Sequence, residues 1–112
     1  TISPTYVPDL VHATLDLLVD EESGIWHLTN NGELTWADFA SEIADRFNLN
    51  RKYIHAVYTT ELDYTAKRPL YRVLTSNRGI LLPSLDDALR RYTATIKAVL
   101  QEQKRIRKAV RA

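Results

Sequence analysis

Residues 35–47 read Thr-Trp-Ala-Asp-Phe-Ala-Ser-Glu-Ile-Ala-Asp-Arg-Phe, a pattern that specifies a helix with one buried face. Thr35 followed three residues later by Asp38 resembles a capping box, in which each side chain satisfies the other's backbone N–H. Trp36, Phe39, Ala40, Ile43, Ala44 and Phe47 then fall on a single helical stripe, and the aromatic rings on that stripe assign it to the core. Working back from this helix, Asn30-Asn31-Gly32 supplies a turn, because Asn and Gly tolerate left-handed backbone. Ile25–Thr29 is a short run of β-branched and aromatic residues behind Gly24, which predicts a strand. Before it, Leu10, Val11, Thr14, Leu15 and Leu18 recur at helical spacing. A helix is predicted over 9–19, with Asp9 placed to cap its start and Asp20-Glu21-Glu22-Ser23-Gly24 ending it. Ser3-Pro4-Thr5-Tyr6-Val7-Pro8 carries two prolines and reads as an extended lead-in.

On the other side of the central helix, Tyr53–Thr59 predicts a second strand and 61–66 a helical turn that ends before Arg68-Pro69. Val73-Leu74 predicts a very short strand. Ser84, with Asp87 three residues on, opens a last helix whose apolar positions Leu85, Leu89, Tyr92, Ile96, Val99, Gln103, Ile106 and Val110 alternate steps of four and three. Helical to its end it would be ~40 Å long, against about 30–35 Å across for a compact domain of this size, so its end should overhang. That end is either a solvated tail, whose cations suit a helix C-terminus, or a helix that binds a partner or a second copy. The fold class predicted is α+β, with about three helices and a few short strands, divided into a domain over 1–96 and a basic helical extension over 97–112.

At 112 residues the chain makes one domain with a modest core, burying roughly 65% of its unfolded surface. No apolar run approaches the ~20 residues that span a bilayer, and no charged-then-apolar leader opens the sequence. Cysteine is absent, which removes disulfides, thiolate metal sites and a catalytic thiol and suits a cytoplasmic protein. Methionine is absent too, so a chain beginning Thr-Ile-Ser-Pro reads as processed or cut from something longer. A net charge of +1 gives no general drive toward nucleic acid. The charge is uneven: Lys97, Lys104, Arg105, Arg107, Lys108 and Arg111 face only Glu102 in the tail.

A complete active site is missing from the pattern. Gly24, Gly32 and Gly79 stand alone, where a dinucleotide site needs a Gly-rich turn between strand and helix. His12, His27 and His55 are scattered over three predicted elements and read as structural or surface residues, not metal ligands. Tyr64 and Lys67 stand three apart, but the lysine has a simpler use in the cationic turn beside it. Asp86-Asp87 and Glu21-Glu22 sit at a helix start and in a loop, where the macrodipole or solvation explains them. What remains is Ala66-Lys67-Arg68-Pro69-Leu70-Tyr71-Arg72. The arginine fork can grip two phosphate oxygens, the lysine adds a point charge, the proline limits the entropy lost on binding, and Tyr71 can stack on or hydrogen-bond a base or sugar. The alternative is a structural ion pair between Arg68 and Glu61 or Asp63.

Ser3-Pro4-Thr5-Tyr6-Val7-Pro8-Asp9-Leu10, then Gly24-Ile25-Trp26-His27-Leu28, the Asn-Asn-Gly turn with Thr35-Trp36, and Ala66-Lys67-Arg68-Pro69 occur in an order that resembles the C-terminal substrate-binding part of dTDP-4-dehydrorhamnose reductase, an extended short-chain dehydrogenase/reductase. The resemblance runs through about residues 3–92. It implies the substrate-binding half of an enzyme that reduces a 4-keto sugar nucleotide to dTDP-L-rhamnose with NADPH. The Rossmann half, with its Gly-rich turn and Tyr-x-x-x-Lys proton-transfer pair, is absent from this sequence. Catalytic and cofactor-binding residues would then lie outside the chain, which alone should be inactive.

By the same resemblance, Thr5 lies near the sugar end of the cleft, and Lys67, Arg68, Pro69, Tyr71 and Arg72 lie nearer the nucleotide. Arg72 stands where the family usually has serine, and Thr75 where it commonly has Asx; a third cation would suit a different nucleotide sugar. The partners implied are a nucleotide sugar and the Rossmann half, whose removal leaves a strand edge and the apolar face of the first helix open to self-association. An epimerase or dehydratase of the same superfamily, and a non-catalytic subunit like the reductase-related regulatory subunit of methionine adenosyltransferase, are the competing readings.

Overall fold

A computed structural model describes residues 1–111. Three helices dominate: α1 (Val7–Val19), α2 (Trp36–Arg46) and α3 (Leu85–Val110), with 3₁₀ turns at Arg51–Tyr53 and Thr59–Glu61. The capping box predicted for α2 is present, since the Thr35 hydroxyl accepts from the Asp38 N–H and the Asp38 carboxylate accepts from the Thr35 N–H. Ser84 caps α3 through the Asp87 N–H. α1 begins two residues earlier than its apolar spacing indicates, with Tyr6 as its N-cap and Pro8 in its first turn, where a missing N–H costs nothing. Asp9 is therefore inside the helix and caps nothing.

The strands reduce to isolated bridges. Ile2 pairs antiparallel with Leu34 and parallel with Arg72, and Asn31 pairs with Ser84. Ile25–Thr29, predicted as a strand, makes no backbone–backbone hydrogen bond among the described residues. Its residue types suit a ladder, but the described residues offer no neighbour to build one. Tyr53–Thr59 forms no strand, only its two end residues falling in the 3₁₀ turns; past Glu61, which closes the second turn, 62–66 is not helical; and Val73-Leu74 is unpaired, the bridge falling one residue earlier, at Arg72.

A small core sits between α1, α2 and α3: Ala13, Ala44, Leu82, Leu85, Ala88 and Leu89 are its buried apolar residues. Tyr6 and Phe47 each pack edge-to-face with Tyr92, with ring centroids 6.3 and 6.4 Å away. Gly32 fits beside this core because it has no side chain. Its φ is +147°, and a Cβ there would lie 2.9 Å from the Leu85 Cβ. Gly32→Ala is expected to destabilise the fold by about 1–3 kcal/mol, read as a lower denaturation midpoint.

The core is held together by a buried polar knot that the sequence pattern does not announce. Asn30 is fully buried. Its amide oxygen accepts from the Tyr6 N–H at 2.7 Å, and its amide nitrogen donates to the Asp9 carboxylate at 2.7 Å and to the Pro83 carbonyl at 3.1 Å. Asp9, 7% exposed, receives both terminal nitrogens of Arg91 at 2.7 and 2.6 Å. Arg91 donates its Nε to Asp87 at 2.7 Å and lies over the Tyr6 ring. One asparagine thus joins the start of α1, the segment before α3 and, through Asp9, the body of α3.

The rest of the chain is open. The radius of gyration is 18.0 Å, where a compact domain of this length has about 13 Å. The accessible surface is 9130 Å², where a self-contained globule of this mass exposes about 6300 Å². α1 accounts for part of the surplus. It turns Asp9 and Ala13 inward and leaves Val7, Val11, Leu15, Leu18 and Val19 in solvent, with Ile25 exposed as well. Among the described residues no helix is long and apolar enough to cross a membrane.

Candidate functional site

The lead-in residues and the cationic turn, 70 positions apart, are stitched together by backbone. Ile2 and Leu34 exchange hydrogen bonds at 2.9 and 3.1 Å, the Thr1 nitrogen donates to the Leu70 carbonyl at 2.6 Å, and Arg72 donates to the Thr1 carbonyl at 2.9 Å. The Leu74 N–H reaches the Ser3 hydroxyl at 3.0 Å. The Tyr71 hydroxyl adds a bond to the Glu33 carboxylate at 2.5 Å, which raises the phenol's pKa by favouring its protonated form. The turn is thereby fixed against the entry to α2.

Between this turn, α2 and the 54–64 segment lies an open cleft of about 410 Å³. Arg68, Pro69 and Arg72 line it from one side, Trp36 and Ala40 from α2, and His55 and Tyr64 from the intervening segment. The Arg68 guanidinium lies 5.2 Å from the Tyr64 ring centroid, a stacking that orients the fork and leaves its edge free to donate. Neither Arg68 nor Arg72 has an acid partner among the described residues, whereas Arg46, Arg51, Arg78, Arg90, Arg91 and Arg105 are all in ion pairs. The Arg68 pairing with Glu61 or Asp63 does not form. Glu61 is occupied by the Tyr58 N–H at 3.0 Å.

The remaining expected site residues go elsewhere. Lys67 and Tyr71 are exposed and do not line the cleft, and the Tyr71 hydroxyl serves the loop anchor. Thr5 donates to the Thr29 hydroxyl at 3.0 Å and lines a separate apolar groove of about 360 Å³ with Tyr6, Phe39, Leu89 and Tyr92. The groove and the cleft adjoin across the edge-to-face pair of Trp36 and Phe39, 6.1 Å apart. His55, Trp36 and Tyr64 are lining residues that sequence reasoning did not assign to the site. Trp36 sits on the stripe read as core yet is 61% exposed, and His55 and Tyr64 come from segments whose predicted elements do not form.

Two guanidiniums without counterions, an imidazole, and two accessible aromatic rings around one cleft suit a ligand carrying both phosphate and a flat ring. No group of three or more His, Asp or Glu side chains is placed to hold a metal among the described residues. The family described as "RmlD substrate binding domain" matches residues 1–105. The spore coat polysaccharide biosynthesis protein SpsK of Bacillus subtilis (strain 168) is 34% identical over 94 residues, covering 80% of this chain and 32% of SpsK. The chain thus spans about a third of the length of this curated relative. No solved structure matches. With the match running from the first residue through most of α3, the chain belongs to the RmlD family, as the substrate-binding domain of the dTDP-4-dehydrorhamnose reductase type.

Proposed function

We infer that the chain is the substrate-gripping lobe of an NADPH-dependent sugar-nucleotide reductase acting on a 4-keto sugar in dTDP-L-rhamnose formation. The observation that carries this reading is the pair of acid-free guanidiniums, Arg68 and Arg72, facing one cleft. They would hold the diphosphate, and Trp36 or Tyr64 would lie against the base or a sugar ring. The described residues do not fit the dinucleotide itself: Gly24, Gly32 and Gly79 stand in separate loops, with no Gly-rich turn to approach a pyrophosphate. The dinucleotide would then be held outside this chain, whose own contribution is position, fixing the keto sugar so that little motion is lost at the moment of reaction. The reductive half would cover the outer face of α1, where Val11, Leu15 and Leu18 are exposed.

The test is calorimetric titration of a dTDP-sugar into the full-length protein. Arg68→Ala and Arg72→Ala should each raise Kd by about 10- to 100-fold, the size of one charge-assisted hydrogen bond of roughly 1.5–3 kcal/mol. Arg105→Ala, an exposed pair on α3, should leave it unchanged. Unaltered affinity in both cleft variants would make the turn structural.

A further inference from the structure

The apolar seam of α3 continues past the point where the domain stops covering it. Leu85 and Leu89 are buried, Tyr92 meets Tyr6 and Phe47, and Ile96 is half-buried. From Lys97 onward every described side chain of α3 is exposed, while the same alternation of four and three runs on through Val99, Gln103, Ile106 and Val110. The flanks of this free stretch are unequal. Lys97, Lys104, Arg107, Lys108 and Arg111 fall within an arc of about 100° on one side, by the helical rotation per residue. The other side carries Ala98, Glu102, Arg105 and Ala109.

We propose that the free half of α3, from Ile96 to Val110, pairs in parallel and in register with the same segment of a second copy of this chain. Three features of the free stretch fit that arrangement. Gln103, polar in the middle of the seam, meets Gln103 of the second copy, the use to which a single polar seam residue is put when register is specified. Arg107, bordering the seam, lies across from Glu102 of the second copy, the flanking pair that a parallel two-stranded coil brings together. The cationic flank of each helix meets the nearly neutral flank of the other, whereas an antiparallel pair would set one cationic flank against another. Glu102 is free to exchange partners, because its present bond to Arg105 is a surface pair with both side chains at least half exposed.

An anionic lipid surface is the other occupant for a basic amphipathic helix, and this one fits it less well. The free stretch holds no aromatic residue, Gln103 lies in the middle of the face that would enter the acyl region, and Glu102 and Arg107 border that face on either side. The pairing covers about two heptads, less than a standard interface of ~800 Å² per partner, so the dimer is weak and depends on concentration.

The experiment uses the full-length protein. Sedimentation should show a reversible dimer. Glu102→Arg should weaken it about fivefold by making two attractive flanking pairs repulsive, and adding Arg107→Glu to that variant should restore it. With any cysteine outside these 112 residues replaced, Val110→Cys should form a disulfide-linked dimer on mild oxidation, while Gln101→Cys, on the face opposite the seam, should not. A monomer throughout the concentration range, an association indifferent to Glu102→Arg, or equal cross-linking at positions 101 and 110 would overturn the proposal. So would a protein that stays monomeric but is retained by acidic vesicles.

Discussion

Asn30→Leu is expected to lower the thermal midpoint of the protein by roughly 10–20 °C, through a loss of about 2–4 kcal/mol. The leucine would bring more apolar volume to the site, yet Asn30 is fully buried and makes three hydrogen bonds. Its removal leaves the Tyr6 N–H without a partner at the start of α1 and frees the Asp9 carboxylate from one of its donors. Pro83 is less affected, because its carbonyl also accepts from the Asn31 N–H at 3.1 Å. Asn30→Asp provides a sharper readout of the same knot. It replaces the amide donor with a second carboxylate against Asp9, and two carboxylates in contact raise the pKa of one of them. A group whose folded pKa lies above its unfolded value gains stability as pH falls, so this variant should become more stable between pH 7 and 5. A midpoint in Asn30→Asp equal to that of the parent would show that the three bonds are not carrying the core.

Arg91→Ala should be nearly as damaging, lowering the midpoint by about 10 °C, and more damaging than Asp9→Ala. The asymmetry follows from burial. Asp9 keeps 8% of its side chain in solvent and Arg91 34%, so removing the arginine strands a carboxylate that cannot be hydrated, while removing the carboxylate leaves an arginine still paired with Asp87. The hydrogen bonds from Arg91 are the main cause holding the Asp9 carboxyl below its ordinary pKa; burial opposes them and Asn30 assists. A carboxyl with a depressed folded pKa contributes stability above its unfolded value of about 3.9, and that contribution disappears as pH falls through the folded pKa. Acid unfolding below about pH 4 should therefore steepen through Asp9, and the slope should flatten in Asp9→Asn. Chemical denaturation at pH 3 to 7 measures both effects.

The helices were readable because each is specified by neighbours in sequence. Thr35 and Asp38 close the α2 cap, Ser84 opens α3, and apolar spacing marks the bodies of all three. The expected strands were not, for a physical reason: a strand is stable only when another lies beside it, and Ile25–Thr29 has the right residue types without a partner among the described residues. α1 shows a related limit. Its apolar stripe is real, but Leu15 and Leu18 face solvent and the inward positions are Asp9 and Ala13. Periodicity finds a face without saying what covers it. Of the expected site, Arg68, Pro69 and Arg72 share the cleft, Thr5 lies in the adjoining groove, and Lys67 and Tyr71 lie outside both. His55 and Tyr64 carry no local mark of the cleft, because residue types predict a strand and a helical turn where neither forms. The Asp9–Asn30–Arg91 knot spans 82 positions, and no local pattern marks an Asn-Asn-Gly turn as buried.

Magnetic-resonance titration of a dTDP-sugar into labelled full-length protein would locate the ligand directly. Side-chain signals of Arg68 and Arg72, with the rings of His55, Tyr64 and Trp36, should shift together along one saturating curve. Shifts confined to the Thr5 groove, or a saturating ligand that leaves both arginines unmoved, would contradict a phosphate grip in the α2 cleft.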